Sequence, residues 1–214
     1  MCTAYELGSK KRGSSPGYLD ARAVQRLLEI SETRIIRPTH IAPVIMPDGS
    51  LREMRWGIPT QVRSARPGAK PLIKNVVNSR ENKLKGWPWR DAFQKRRCLI
   101  PASAFYEWVE LDGKKIPLRF VRPDLDTIWI AGIWEDGQHG ECYSMITTDP
   151  NEVMEPVHDR MPAVLQESQI PPYLAGELHE FGPSAVGLAF TEAENFLKGR
   201  KEPPPPPAQG DLFS

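Results

Sequence analysis

The second half of the chain contains a series of β-strand patterns, and this series restricts the fold more than any other feature of the sequence. Apolar, aromatic and β-branched residues dominate Cys98–Glu110, Ile116–Val121, Thr127–Glu135 and Glu141–Thr148. An Asp-Gly pair at 112–113 marks a turn between the first two segments. Short strands joined by such turns are typical of a meander. We therefore predict a largely antiparallel system of sheets.

The first half of the chain predicts helices and one hairpin around these sheets. Tyr18–Ile35 carries apolar residues on one face at helical spacing and polar residues on the other, which indicates an amphipathic helix. A hairpin is expected over Val44–Arg55, with its turn at an Asp-Gly pair. A helix is predicted over Trp89–Lys95, because Pro88 is acceptable in a first helical turn.

The last third predicts two short helical segments and a tail. Asn151–Pro156 is expected to form one helical turn, and Gln166–Leu178 a short helix that two prolines interrupt. A run of five prolines near the end indicates an extended, mobile tail that acts as a spacer or docks in a proline-reading groove. We predict an α+β fold: one domain over residues 1–200, with barrel-like antiparallel sheets and peripheral helices, and a flexible tail over 201–214.

The composition is that of a globular protein without a membrane segment. Of the 214 residues, 40% are hydrophobic and 26% are charged, which is sufficient for a sizeable core. The longest stretch without a charge, Phe181–Thr191, is shorter than the roughly 18 residues of a membrane span. The first residues lack the basic and apolar regions of a secretory signal. We expect a cytoplasmic protein.

Cysteine and histidine spacing predicts neither a disulfide framework nor a metal site. Cys2, Cys98 and Cys142 are widely separated and form no C-x-x-C pair, so a zinc knuckle is not indicated. The four histidines likewise lack the spacing of metal ligands. We expect no metal and no organic cofactor.

Positive charge is concentrated in one segment of an otherwise acidic chain. The net charge is only +1, yet Arg52–Arg97 contains thirteen Lys or Arg against three Asp or Glu, a local balance of +10. Such a segment is typical of a surface that binds an anion such as a phosphate backbone. It is equally compatible with a solvated face whose charges pair with acidic residues elsewhere.

Cys2 holds a position with unusual chemistry. Removal of the initiator methionine, which a small second residue permits, leaves Cys2 with an amine and a thiol on adjacent carbons. Their pKa values are ordinarily about 7.7–8.0 and about 8.5, so both are partly available near neutral pH. The amine attacks an aldehyde to form a Schiff base, and the thiol then closes a five-membered thiazolidine. The alternative interpretation is a frayed chain terminus.

Two polar segments on predicted strands are candidates to assist this chemistry. Asn78 and Arg80 follow an apolar pair inside the basic segment; an asparagine orients a substrate or backbone group, and an arginine binds phosphate bidentately. An ordinary strand-to-loop junction explains them as well. Glu107 stands between two large aromatic residues. If the Glu107 side chain points inward, burial raises its pKa and suits the carboxyl group to proton transfer. If it points outward, Glu107 is an ordinary exposed carboxylate.

A third candidate is the loop Val157–Pro162, which contains His158, Asp159 and Arg160. Histidine has the side chain whose ordinary pKa lies nearest to working pH. Arg160 either pairs with Asp159 or binds phosphate. A single histidine is also compatible with a purely structural role.

Together these residues resemble the SRAP family, the SOS response-associated peptidases. The resemblance is an ordered set that extends from residue 2 to about 165: Cys2, Trp56-Gly57, Asn78-x-Arg80, Tyr106-Glu107-Trp108 and His158-Asp159-Arg160-x-Pro162. It implies a sensor of abasic sites in single-stranded DNA. Such a protein crosslinks to the site through a thiazolidine and protects it during the DNA damage response. It also implies a monomer whose positively charged channel converges on the processed N-terminus, with a nucleoid association when DNA is bound.

The resemblance further implies roles for individual residues. Cys2 would be the nucleophile, Asn78 would orient it, Glu107 would move protons, and His158 would assist proton transfer and reversal. DNA contacts would come from Arg80, Arg160, Thr147 and Lys74. The family label of peptidase implies self-processing that exposes the cysteine.

The sequence departs from the family pattern in the residues expected to grip DNA. Thr3-Ala4 stand where Gly-Arg is usual, and His40 stands where an asparagine is typical. No tryptophan follows Pro59, and the residues after Arg80 lack the usual acidic-threonine pattern.

Three functions therefore compete on sequence grounds. The first is an enzyme-like DNA crosslinker. The second is a non-catalytic binder of single-stranded DNA that stacks bases on Trp87 and Trp89. The third is a thiol peptidase that uses Cys2 with His158.

Overall fold

A computed structural model describes residues 2–8, 25, 27, 33–62, 68, 70–137 and 140–196. Fourteen strands lie within these residues. In chain order they are β1 (Ala4–Leu7), β2 (Arg34–Ile36), β3 (Ile41–Ile45), β4 (Leu51–Trp56), β5 (Ile58–Val62), β6 (Leu72–Val76), β7 (Asn78–Arg80), β8 (Arg97–Ala102), β9 (Ala104–Leu111), β10 (Lys114–Val121), β11 (Ile128–Gly137), β12 (Gly140–Thr148), β13 (Met161–Pro162) and β14 (Ala189–Glu192).

Helical structure in the described residues is short. It comprises helix α1 (Arg90–Lys95), helix α2 (Ile170–Leu174) and two 3₁₀ turns over Glu81–Lys83 and Glu167–Gln169. The isolated described residues Gln25 and Leu27 are also helical. The fold is therefore α+β with strands predominating, as the sequence predicted.

Five strands close into a barrel. Their order is β11-β8-β3-β4-β12, and β12 pairs with β11 to complete the ring. Every pairing in the ring is antiparallel except that of β12 with β4. Closure satisfies the backbone groups that a sheet edge would leave unpaired. Beyond the ring, β7 and β13 both pair with the C-terminal half of β12.

A second sheet of five antiparallel strands and a separate two-stranded ribbon complete the architecture. The second sheet has the order β14-β10-β9-β1-β2. Strand β1 lies between β9 and the edge strand β2. Its pairing with β9 holds the N-terminal residues against Tyr106 and its neighbours. The ribbon consists of β5 and β6.

The two faces of β12 belong to two different apolar cores. Tyr143 and Met145 pack in a cluster that includes Cys2. Cys142 and Ile146, which alternate with them, pack in a second cluster under the helices. Successive side chains of a strand point to opposite faces, so a strand that is buried on both faces contributes alternate residues to two cores.

The strand predictions are largely confirmed, with one important difference. The segment Cys98–Glu110, predicted as one strand, breaks at Ser103 into β8 and β9, which belong to different sheets. The Ser103 amide donates a hydrogen bond to the Glu6 carbonyl oxygen at 2.9 Å. The chain therefore leaves the barrel at this point and joins β1. The hairpin of β3 and β4 and the turn at Asp112-Gly113 are as predicted.

The helix predictions are only partly correct. Most of Tyr18–Ile35 lies outside the described residues, but its end is wrong, because Arg34 and Ile35 belong to β2. Helix α1 confirms the helix predicted to end at Lys95.

Two further segments also differ in detail from their predictions. Asn151–Pro156 forms hydrogen-bonded turns and is not part of a helix. The prolines at 171 and 172 do not interrupt a helix, because they lie in the first turn of α2, where a missing N–H is tolerated. The predicted tail, 201–214, lies outside the described residues.

Gly57 is the point where the chain leaves the barrel and enters the ribbon. Its φ of +112° lies in a region that favours glycine. Its amide donates to the Tyr143 carbonyl oxygen at 2.7 Å, and a Cβ at this position would lie 2.1 Å from Asn75 Nδ2. Asn75 is held in place, because its Oδ1 accepts a hydrogen bond from Arg55 Nη1 at 2.9 Å.

We expect Gly57→Ala to destabilise the protein by about 1–3 kcal/mol, because a non-glycine residue is strained at this φ. For a chain of this length, each kcal/mol lowers Tm by about 2–4 °C in a thermal melt. Gly137→Ala is the matched control, since an added Cβ there meets no atom within 4 Å. Equal melting temperatures for the two variants would contradict this account of Gly57.

Candidate active site

Residues from distant parts of the chain converge around Cys2. The Cys2 side chain is only 1% exposed and belongs to the first apolar core. Asn78 Nδ2 donates a hydrogen bond to the Cys2 carbonyl oxygen at 2.7 Å. Glu107 is close enough that its charge influences the pKa of the Cys2 thiol, and His158 similarly influences the pKa of Glu107. The structure thus brings together the four predicted catalytic residues.

Burial changes the chemistry of the Cys2 thiol. Removal from water raises its pKa to about 12, and the negative charge of Glu107 adds to this effect. The Cys2 Sγ donates to the Ala4 carbonyl oxygen at 3.2 Å. The ordinary thiol pKa expected from sequence is therefore wrong for the folded protein. At neutral pH the sulfur is protonated, and it needs a nearby base before it can act as a nucleophile.

Glu107 points inward, which settles the orientation that the sequence left open. Its side chain lies on the buried face of β9, and the residue is 3% exposed. Burial raises the pKa of Glu107, while the charge of His158 acts in the opposite direction. A carboxyl group with a raised pKa retains its proton to higher pH and is suited to donate and recover it during a reaction.

The side-chain amide of Asn78 uses its nitrogen in a hydrogen bond and has its oxygen available to a ligand. Strand pairing places Asn78 beside Met145, and the neighbouring Ser79 faces the opposite side, where its Oγ lies 2.8 Å from the Ser144 Oγ. While Nδ2 holds Cys2, the buried Asn78 Oδ1 has no hydrogen-bond partner among the described residues. A buried acceptor of this kind can bind an N–H or O–H of a ligand.

His158 makes two contacts through the same nitrogen. Its Nδ1 lies 3.0 Å from the Arg160 amide and 2.8 Å from Asp159 Oδ1. Accepting the hydrogen bond from Arg160 requires Nδ1 to carry no proton, whereas an ion pair with Asp159 requires a protonated ring. The local structure therefore has a partner for each protonation state of His158, which suits a residue that exchanges protons.

Arg160 is buried and already bound to the protein. Its Nη2 donates to the Thr147 carbonyl oxygen at 2.6 Å, and its Nη1 pairs with Asp149. Arg160 Nε has no hydrogen-bond partner among the described residues, so it remains a donor for the predicted phosphate contact. The buried Thr147 Oγ1 also lacks a partner there. These two groups can both donate to an oxygen-rich ligand.

The predicted DNA-contact residues fall into two places. Arg80 lies beside Thr147 in the pairing of β7 with β12, so it adjoins the cluster. Lys74 pairs with Thr60 in the ribbon and is not part of the cluster. Both basic side chains are exposed, and neither forms an ion pair within the described part of the chain.

Two carboxylates that hold the site together, the half-buried Glu81 and the buried Glu6, were not identified from sequence. Glu81 accepts hydrogen bonds from Thr148 Oγ1 at 2.7 Å and from the Phe181 amide at 2.6 Å, which fixes the end of β7. Glu6 pairs with Arg119 at 2.6 Å and accepts a hydrogen bond from Tyr106, which fixes β1 against β9. Neither glutamate has a local sequence signal, because its partners lie far away in the chain.

The described residues contain no group of three His, Cys, Asp or Glu side chains placed to hold a metal ion. None of their helices combines the length and the hydrophobicity that a membrane crossing requires.

Comparison with known proteins gives a consistent result. The sequence model of the SOS response associated peptidase (SRAP) family matches residues 1–193. Abasic site processing protein YoqW of Bacillus subtilis is 36% identical over 143 residues, which are 62% of this chain and 62% of that protein. Abasic site processing protein HMCES of Xenopus tropicalis is 30% identical over 139 residues, which are 54% and 42% of the two chains. The chain thus spans less than two thirds of the length of these relatives.

Solved structures support the fold. A Bordetella bronchiseptica protein matches with a TM-score of 0.67 at 23% identity, covering 91% of this chain and 100% of that one. A Bacteroides thetaiotaomicron protein matches with a TM-score of 0.66, also at 23% identity, covering 83% and 85% of the two chains.

We expect Glu107→Gln to raise the melting temperature at pH 7–8, and the gain to shrink as the pH falls. Above about pH 4.3 the unfolded chain releases this proton freely, whereas the folded chain, with a raised pKa, does not. Folding therefore loses stability as the pH rises through this range, and glutamine removes the loss. Thermal melts from pH 4 to pH 8 measure the effect. A difference independent of pH would contradict the raised pKa of Glu107.

Proposed function

Because the chain belongs to the SRAP family, we propose that it processes abasic sites in single-stranded DNA by attaching itself covalently to them through Cys2. One observation carries the proposal: the Cys2 backbone is held by Asn78 at 2.7 Å next to the buried Glu107. The printed names of the curated relatives, abasic site processing proteins, support the substrate. The attachment would protect the abasic site during the DNA damage response.

The first step is attack by the amine. Loss of Met1 leaves the α-amine of Cys2 free, and it adds to the aldehyde carbon of the ring-opened abasic sugar. The protonated Glu107 donates its proton to the resulting hydroxyl group, which leaves as water, and an iminium ion forms. The raised pKa of Glu107 keeps this proton available at the start.

The second step is ring closure by sulfur. The Glu107 carboxylate left by the first step accepts the proton of the Cys2 thiol, and the sulfur adds to the iminium carbon to give the thiazolidine. Glu107 ends in its original protonated form, and the net change is the loss of one water. Because the thiol pKa is about 12, the thiol waits for this base, so the amine reacts first.

Asn78 and His158 would assist both steps. Asn78 fixes Cys2 through Nδ2 and offers Oδ1 to the amine or to a sugar hydroxyl. His158 exchanges protons when the sugar ring opens and when the adduct reverses, since each of its protonation states has a partner. The chemistry uses no metal or organic cofactor.

DNA binding would use the exposed and buried donors next to this centre. Arg80 contacts a phosphate beside the abasic residue, and Thr147 Oγ1 and Arg160 Nε donate to the same oxygen-rich region. Lys74 binds the strand farther along the ribbon. The protein acts as a monomer in the cytoplasm and associates with the nucleoid through bound DNA.

The alternatives have less support. A thiol peptidase needs a thiolate with a lowered pKa, whereas the Cys2 thiol has a raised one. A non-catalytic binder of single-stranded DNA leaves the convergence of Asn78, Glu107 and His158 on Cys2 without a purpose. The next experiment distinguishes covalent crosslinking from both alternatives.

We expect a covalent adduct in intact-mass spectrometry after incubation with a single-stranded oligonucleotide that contains an abasic site. The mass should equal the protein without Met1 plus the oligonucleotide less one water. Cys2→Ser, which cannot close the sulfur ring, should give no adduct that survives denaturation, while Cys142→Ser is the matched control. Processed protein that stays unmodified would overturn the crosslinking function. Adduct formation by protein that retains Met1 would contradict the role of the amine.

We expect Glu107→Gln to slow adduct formation by about 10²–10⁴-fold, the usual contribution of general acid–base catalysis. The wild-type rate should fall as the pH rises through the raised pKa of Glu107, and the variant should lack this decline. Quenched time courses on denaturing gels measure the rates. Glu110→Gln, an exposed glutamate on the same strand, should be unaffected. A wild-type rate and pH profile in Glu107→Gln would remove Glu107 from the mechanism.

A further inference from the structure

A second concave site lies at the ribbon, apart from the residues around Cys2. It is a cavity of about 600 Å³ between three elements: the β5–β6 ribbon, the residues that precede α1, and the paired ends of β11 and β12. Its lining includes Trp87, Gln61, Ile73 and Asp136 and none of the residues assigned to the proposed chemistry.

The cavity has an aromatic wall that is available to a ligand. Trp87 is 79% exposed, whereas Trp89, two residues later, is 7% exposed and packs in the second core. The buried tryptophan therefore anchors the segment that presents the exposed one. Ile73, which also lines the cavity, is 74% exposed, so the lining has an exposed aliphatic surface as well. Exposed apolar surface of this kind is characteristic of binding sites.

The charge distribution selects the kind of ligand. Two carboxylates, Glu135 and Asp136, line the cavity. Glu135 is paired with Arg96 at 2.8 Å, and Asp136 disfavours an anion inside the cavity. Three exposed basic side chains lie in the same elements or next to them: Lys74 in β6, Lys70 just before β6, and Arg90 at the start of α1. This pattern fits a ligand whose flat, uncharged part enters the cavity while its anionic part stays outside. A nucleobase attached to its phosphate backbone has this form. Asp136 and Gln61 can hydrogen-bond to the edge of a base.

The cavity is also connected to the proposed reaction centre. Strand β6, which contains Ile73, continues into β7 after the single residue Val77. Asn78 follows Ile73 by five residues, or roughly 16 Å at the rise of an extended strand. A DNA strand whose abasic residue lies at Cys2 can therefore reach the cavity within a few nucleotides.

We propose that this cavity binds one nucleobase of the same single strand, stacked on Trp87, a few nucleotides from the abasic site. The proposal rests on the proposed function, since the DNA strand is the one that passes Arg80. It assigns to Trp87 a role in binding that is separate from the chemistry at Cys2. Stacking on an aromatic side chain tolerates any base, so the cavity would add affinity without fixing a sequence.

The test measures the reversible binding of a series of oligonucleotides, each of which lacks the base at a different position. Oligonucleotides carry a tetrahydrofuran residue, which has no aldehyde, at the abasic position, and a second one at each flanking position in turn. In the wild-type protein, one flanking position should weaken binding by about 5- to 150-fold, the range for one base–aromatic stack. In Trp87→Ala, binding of the parent oligonucleotide should fall by a similar factor. The scan should also become flat, which means that the affinity no longer depends on the position of the second tetrahydrofuran residue.

Two control variants identify the interaction. Trp87→Phe keeps an aromatic face and should retain most of the affinity and the position dependence. Leu111→Ala removes an exposed apolar side chain, 56% exposed, from the tip of the β9–β10 hairpin, and should change nothing. Unchanged melting temperatures confirm that the variants fold.

The outcomes separate this inference from the proposed function. A flat scan in the wild type, or Trp87→Ala binding as well as the wild type, overturns the base site even if adducts form at genuine abasic sites. Such a result would leave the cavity as a surface for another class of ligand, such as a peptide. A position-dependent scan that is lost in Trp87→Ala supports the base site, and failure of adduct formation would then count against the covalent chemistry alone.

Discussion

The pairing of β12 with four other strands is the constraint on which the molecule depends. Its N-terminal half closes the barrel by binding β11 and β4, and its C-terminal half binds β7 and β13. The same strand therefore completes the scaffold and sets the position of Asn78 relative to Cys2. Because β7 has only three residues, its place depends on this pairing and on the hydrogen bonds that Glu81 makes to neighbouring elements. A site built in this way is as rigid as the barrel to which it is attached.

Burial would set the order of events in the proposed reaction. The same removal from water raises the pKa of Glu107 and the pKa of the Cys2 thiol. Neither group therefore has the reactivity of a free side chain in water. In the proposed mechanism each becomes competent only when the reaction changes its neighbour: loss of water from the sugar leaves a carboxylate, and the carboxylate then activates the sulfur. The environment, rather than the nucleophile itself, would then provide selectivity for an aldehyde over other electrophiles.

The sequence allowed the strands and the candidate residues to be predicted, but not their arrangement. Local alternation and the turn at Asp112-Gly113 identify β9 to β12, because these signals involve neighbouring residues. The break at Ser103 depends on a hydrogen bond to Glu6, and the orientation of Glu107 depends on packing with a strand about a hundred residues away. Arg160 shows the same limit, since its burial and its pairing with Asp149 depend on residues that no local pattern relates to it.

The ribbon of β5 and β6 is attached to the barrel at Gly57 and at Val77, and it shares no strand pairing with either five-stranded system. Substitutions in its middle therefore have little effect on barrel closure or on the distances around Cys2. Under selection, such an arrangement is modular: the grip proposed for the DNA strand can change while the proposed reactive centre stays the same. On this proposal, the segment after Pro59 can lack a tryptophan usual in the family while Cys2, Asn78, Glu107 and His158 remain together.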